Sequence, residues 1–133
     1  GLTGAFWTVP ASRFKTNLEQ KVPVSPPALL LLKNLPHSSE YVFPGRSGSS
    51  AMTTAAGMKL LKTLQPGITQ QGFRTTFREW AVNQTAYPAE VIAHALGPQS
   101  GDQAAGAHFR SDLIAKRARL MSDWAAFCDK HVT

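Results

Sequence analysis

The side chains with the most chemical potential in this 133-residue chain are cationic or imidazole. Arg74 and Arg78 stand one helical turn apart, just after Gln71-Gly72, and Arg110, Lys116 and Arg117 cluster further along with His108. Lys15 lies in a polar stretch near the start, and His94 stands alone in an apolar segment. Cations at helical spacing can neutralise phosphate oxygens, and a guanidinium can contact two of them with its planar fork. The overall balance agrees: fourteen Lys/Arg against eight Asp/Glu give +6 and a pI near 9.9, which suits a polyanionic partner, nucleic acid before an acidic membrane. Cys128 is the single cysteine, which excludes an internal disulfide and a cysteine-cluster metal site. By residue type alone, Arg74 and Arg78 are solvated arginines on a core helix, Lys15 is an exposed turn lysine, and His94 is structural or solvated.

These residues have to be held by a folded globule. At 43% hydrophobic residues the chain reads as one domain over 1–133, able to bury about two-thirds of its unfolded surface. The longest plain apolar run, Ala28–Leu32, is far too short to span a membrane. Phe6–Val9 and Lys21–Val24 are β-prone and predict a small hairpin, with Pro10 and Pro23 confining it to an edge. Ser25-Pro26-Pro27 predicts a helix start with Ser25 as N-cap, and the helix Ala28–Asn34 follows. Tyr41–Pro44 reads as extended and Gly45–Ser50 as a loop.

Thr53 or Thr54 caps a helix to Leu64 with Met58, Leu61 and Leu64 on one face, ended by Pro66-Gly67. In the next helix, to about Gln84, Phe73, Phe77, Trp80 and Ala81 recur at 3–4 spacing. Pro88 opens a further helix that closes at Gly97-Pro98, then a polar loop and a helical stretch over Gln103–His108. Asp112 caps a last helix through Lys130, with Leu113, Arg117, Leu120, Met121, Trp124 and Phe127 in one array. The expected fold is mainly α, with a small N-terminal β appendage.

Several of these stretches together resemble one family. Gln71-Gly72-Phe73-Arg74-Thr75-Thr76-Phe77-Arg78-Glu79-Trp80 is similar to the H-G-F-R-x-x-F-x-x-W segment of phage and prophage integrases in the tyrosine recombinase superfamily. Trp7 to Lys15 is similar to their W-x-I-P-x-x-R-M-K strand and turn, Val22–Ser25 to V-P-L-S, and Val42–Pro44 to V-F-P. Ala107–Asp112 lies where they carry A-Y-x-R-x-D, and Leu120–Ala125 matches L-M-x-x-W-A. The order of the segments from Trp7 to Phe127 carries the resemblance more than any one of them.

The resemblance implies a recombinase-type catalytic-domain helical bundle, lacking its N-terminal part, whose partner is duplex DNA. It leaves room for a homo-oligomer on that DNA. It also implies a bacterial cytoplasmic, nucleoid-associated protein working without metal or organic cofactor. Lys15 takes the place of the hairpin lysine that assists the leaving group, and Arg74 that of the second phosphate-binding arginine. The first such arginine belongs to a T-G-x-R-x-x-E context preceding Trp7, so its segment is expected upstream of Gly1.

Other family positions are altered. Gln71 and Pro98 stand at the two histidine positions, with His94 one turn away as a surrogate for the second, and Gln20 replaces a further histidine. His108 stands at the nucleophilic tyrosine, while Tyr41 and Tyr87 lie outside the matching motif. Strand cleavage and rejoining is thus the family's reaction, and in this chain its site reads as decayed or repurposed. Lys15, Arg74, Arg78, Arg110, Lys116 and Arg117 remain as candidate DNA contacts. A helical interaction module that no longer touches DNA is the alternative expectation.

Overall fold

The computed structural model describes residues 5–13, 19–97 and 107–130, with the side chains of Arg13 and of residues 107–112 not described. Its described part is mainly helical, with five α-helices and one two-stranded antiparallel sheet. Strand β1 (Ala5–Val9) pairs with β2 (Gln20–Val24), and the register sets Phe6 opposite Pro23 and Trp7 opposite Val22. A two-stranded sheet has only edge strands, so Pro23 is tolerated inside the pairing. A 3-10 turn at Ala11–Arg13 begins the connection. Lys15, expected at this turn, lies outside the described residues.

Helix α1 (Pro26–Lys33) starts directly after Ser25, as the sequence predicts, with both prolines in the first turn, where no amide partner is needed. Ser25 holds the N-cap position, but its hydroxyl makes no cap hydrogen bond; its carbonyl accepts from Leu29 N at 2.8 Å. Tyr41–Pro44 is not a strand: Pro44 forms an isolated bridge with Ala51, and Phe43 O accepts from Met52 N at 2.8 Å. Helix α2 (Thr54–Leu64) is capped by Thr53, whose hydroxyl accepts from Ala56 N at 3.1 Å.

The core is formed by α3 (Gln70–Gln84), α4 (Ala89–Leu96) and α5 (Ala107–Lys130). Phe77, Trp80 and Ala81 of α3, Val91 and Ile92 of α4, and Leu113 and Leu120 of α5 are buried together. Leu96 and Trp124 are half-buried against this cluster. Trp124 meets Phe77 edge-on with centroids 5.3 Å apart, packs on Trp80 at 5.1 Å, and stacks on Phe127 at 5.6 Å. Such tilted and offset pairs add to plain area burial.

Two expectations are corrected. Phe73 is 56% exposed, because the packed part of α3 begins one turn later, at Phe77. Position 112 lies inside α5, which already runs from Ala107, and so is not its N-cap; this covers the end of the expected 103–108 helix, the rest of which lies outside the described residues. Trp7 and Phe43 are 59% and 57% exposed.

Candidate nucleic-acid interface

Helix α3 positions the best-defined cations. Its start is fixed by Thr69, whose hydroxyl accepts from Gly72 N at 3.0 Å in an N-cap. That cap sets the helical phase of the next two turns. Gln71, Arg74 and Arg78, spaced by three and four residues, therefore share one exposed side of α3, away from Trp80.

Arg74 is oriented rather than loose. Its Nη1 donates to the carbonyl of Leu96, the last residue of α4. A cation at a helix C-terminus is favoured by the helix dipole and satisfies a carbonyl left without an intrahelical partner. One of the five guanidinium donors is thereby used, and the others stay available to a ligand. Gly97 follows at φ 141°, a positive value that L side chains rarely adopt, so α4 stops where its end can meet Arg74.

The remaining candidates separate. Lys116 is half-buried on α5. Arg117, expected among the DNA-facing cations, is 5% exposed and points into the domain. Its Nη1 lies 3.4 Å from Lys21 O and 3.2 Å from His94 Nδ1, while Nε has no hydrogen-bond partner among the described residues. The cause is helical phase: Arg117 is four residues after Leu113 and three before Leu120, both buried. Burial lowers its pKa, yet a guanidinium starts high enough to stay charged at neutral pH.

His94, the expected surrogate histidine, is half-buried and has Nδ1 turned to this arginine. His108 and Arg110 lie in the first turn of α5, but their side chains are outside the described residues, and so are Lys15 and Pro98 altogether. The structure thus joins Gln71, Arg74 and Arg78 on one surface and sets Arg117 apart from them.

Sequence reasoning missed the Leu96 carbonyl as the partner of Arg74 and the coupling of His94 to Arg117. The second was detectable, since Arg117 falls on the apolar stripe of its helix. Among the described residues, no group of three or more His, Cys, Asp or Glu side chains is placed to hold a metal, and no helix is long and apolar enough to cross a membrane.

The chain is similar to the prophage integrase IntA of Escherichia coli (strain K12), with 31% identity over 125 residues. The match covers 90% of this chain and 30% of that protein, so the chain spans about 30% of the length of the curated relative. No family model matches the chain. No solved structure matches it. The similarity supports a distant relationship to the integrases.

Proposed function

We propose that the chain is a DNA-binding unit of a prophage-type integrase, built on a tyrosine-recombinase scaffold whose own catalytic site is impaired. The observation that carries this reading is the exposed face of Gln71, Arg74 and Arg78, with Arg74 held by the end of α4. A guanidinium fixed by one donor and open at the others suits a phosphate, and phosphate contacts dominate the affinity of proteins for duplex DNA. The relationship to a prophage integrase and the net charge of +6 favour DNA over other polyanions.

The chemistry of such a site divides into tasks. Phosphodiester cleavage needs a nucleophile, cations on the non-bridging oxygens and a proton donor for the leaving 5′-oxygen. Arg74 can take the second task. Lys15 belongs to the third by its place in the sequence. The nucleophile position holds His108, and an imidazole does not provide the 3′-phosphotyrosyl bond that conserves energy for rejoining. Gln71 and Pro98 leave two proton-transfer positions without a titratable group. The reading therefore retains binding and gives up strand transfer. Assembly of several copies on DNA and a place among nucleoid proteins belong to the same proposal.

A mobility-shift titration of the chain on duplex DNA at several salt concentrations tests it. With about four phosphates neutralised, log affinity falls against log salt with a slope of about −3.6. Binding indifferent to salt, or none at low salt, overturns it. It would then favour an interaction module, a reading supported by the exposure of Leu31 and Leu64, each at 70%.

A further inference from the structure

Between Glu40 and Glu79 the chain contains no acidic residue, while Arg46, Lys59, Lys62, Arg74 and Arg78 all fall in that interval. This is an uneven distribution, because the eight acidic residues of the chain are otherwise spread from Glu19 to Asp129. All five cations are exposed. Arg74 is engaged with a carbonyl, and no ion pair with a described residue neutralises any of the five.

Helix α2 lies in the middle of this interval and is unusual for another reason. It buries no residue, and it packs substantially against no other described element. Its residues nevertheless segregate by face. Lys59 and Lys62, three apart, are neighbours on one side. Met58, Leu61 and Leu64 follow a separate stripe at the same spacing. The lysine side is a cationic surface with no internal counter-charge, presented on a regular helix.

Helix α2 is also tethered to the Arg74 face. Residues 65–69 connect α2 to α3, with Gly67 at φ 92° in the turn. Even with that connection fully extended, Lys62 and Arg74 lie within about 30 Å along the chain. This is less than one turn of B-DNA, about 34 Å. A single duplex seated on Arg74 and Arg78 can therefore reach α2.

We infer that Lys59 and Lys62 of α2, flanked by Arg46, form a second contact with the phosphate backbone of duplex DNA, continuous with the Arg74–Arg78 face. The inference rests on the DNA-binding reading above and extends it to residues that the family likeness did not single out. Contacts of this kind neutralise phosphates without reading bases, so they add affinity and salt dependence but no sequence preference.

The test compares the chain with Lys59→Ala/Lys62→Ala and with a charge-matched control, Lys33→Ala/Lys130→Ala, whose lysines are exposed on α1 and α5. Alanine is the strongest helix former, so both variants keep their helices, which circular dichroism verifies. Binding to a duplex of about three helical turns is followed by fluorescence anisotropy over a salt series. The α2 variant is expected to lose about 1.8 units of salt slope and about fifty-fold in affinity at 0.1 M salt, with the control pair changing affinity no more than about twofold. Equal losses in both variants would reduce the effect to net charge and overturn the inference. An unchanged slope in the α2 variant would also overturn it, and altered self-association in sedimentation would then assign α2 to contacts between copies. If the unaltered chain shows no salt-dependent binding, the DNA-binding reading itself fails, and that outcome is distinct from failure of the α2 contact alone.

Discussion

Arg117 Nη1 lies 3.2 Å from His94 Nδ1 and joins α5 to α4 inside the domain. Arginine only donates hydrogen bonds, so His94 accepts at Nδ1, and its proton, in the neutral ring, sits on Nε2. The same arginine nitrogen reaches Lys21 O, so one side chain links the hairpin to two core helices. A cation taken from water at the cost of desolvation is useful here as a tie between elements more than as a charge.

Replacing that tie separates its two contributions. Arg117→Ala leaves a cavity and removes the donor to Lys21 O and His94 Nδ1, and is expected to lower stability by about 2–4 kcal/mol. Arg117→Met refills the volume and removes the desolvated charge, so it is expected to cost clearly less. Urea unfolding of the three proteins measures both. A slope of DNA binding against salt that is unchanged in Arg117→Met confirms that this arginine is not a phosphate contact; a slope reduced by about 0.9 would place it on the DNA face.

The aromatic cluster gives a second expectation. Trp80 is 7% exposed and touches Phe77, Trp124 and Phe127 with centroids 6.0, 5.1 and 5.7 Å away. Trp80→Ala is expected to cost about 3–5 kcal/mol, a large share of the roughly 5–15 kcal/mol that holds an ordinary domain folded. Phe73→Ala, on the same helix but 56% exposed, is expected to stay within about 1 kcal/mol. Equal effects from the two substitutions would mean that α3 packs along its whole length.

The contrast between Phe73 and Phe77 shows how far the sequence could be read. Local period identified α3 and α5, the Thr53 cap and the hairpin strands, because those depend on neighbours within a few residues. It could not show where the packed part of α3 begins, since that depends on how far α4 and α5 reach. Asp112 looked like a cap because its chemistry suits one, but the turn preceding it is already helical. The tie of Arg74 to Leu96 and that of Tyr87 to Asp123 join residues 22 and 36 positions apart, and such pairs leave no periodic signal. The shared exposed side of Gln71, Arg74 and Arg78 on α3 was legible by type and spacing. The burial of Arg117 was legible in the apolar stripe of α5, and its partners Lys21 and His94 needed the fold.

Tyr87 donates to Asp123 Oδ2 at 2.6 Å, linking the segment before α4 to α5. Burial first, then the hydrogen bond and the charge of Asp123, push the Tyr87 phenol from 10.0 up to about 12, against an opposing pull from Arg119. A phenol with a raised folded-state pKa contributes stability that is complete below about pH 10 and is lost as pH climbs through about 12. Tyr87→Phe should therefore destabilise the domain at pH 8 and flatten its loss of stability between about pH 10 and 12. Parallel denaturant titrations across that window decide it. Identical pH profiles for the two proteins would show the pair to be broken in solution.

The last expectation concerns covalent chemistry. On the proposed reading, position 108 offers an imidazole where the nucleophilic phenol would stand, so no phosphotyrosyl adduct is expected there. Restoring the phenol alone is not expected to restore the reaction. Gln71 remains a side chain without a titratable proton, and Pro98 offers neither a titratable group nor a backbone N–H. Groups that act as a unit leave the site inactive when any of them is absent, and losing one donor to a developing negative charge costs about 100–1000-fold in rate. His108→Tyr, presented with a duplex nicked beside the scissile phosphate, should therefore yield no covalent protein–DNA species on a denaturing gel, while still binding the duplex with the same salt slope. A covalent species trapped with the unaltered chain and lost in His108→Ala would make His108 a nucleophile and overturn the impaired-site reading. One trapped only with His108→Tyr would show that Arg74 and its neighbours kept the rest of the site competent, and that the tyrosine alone had been given up.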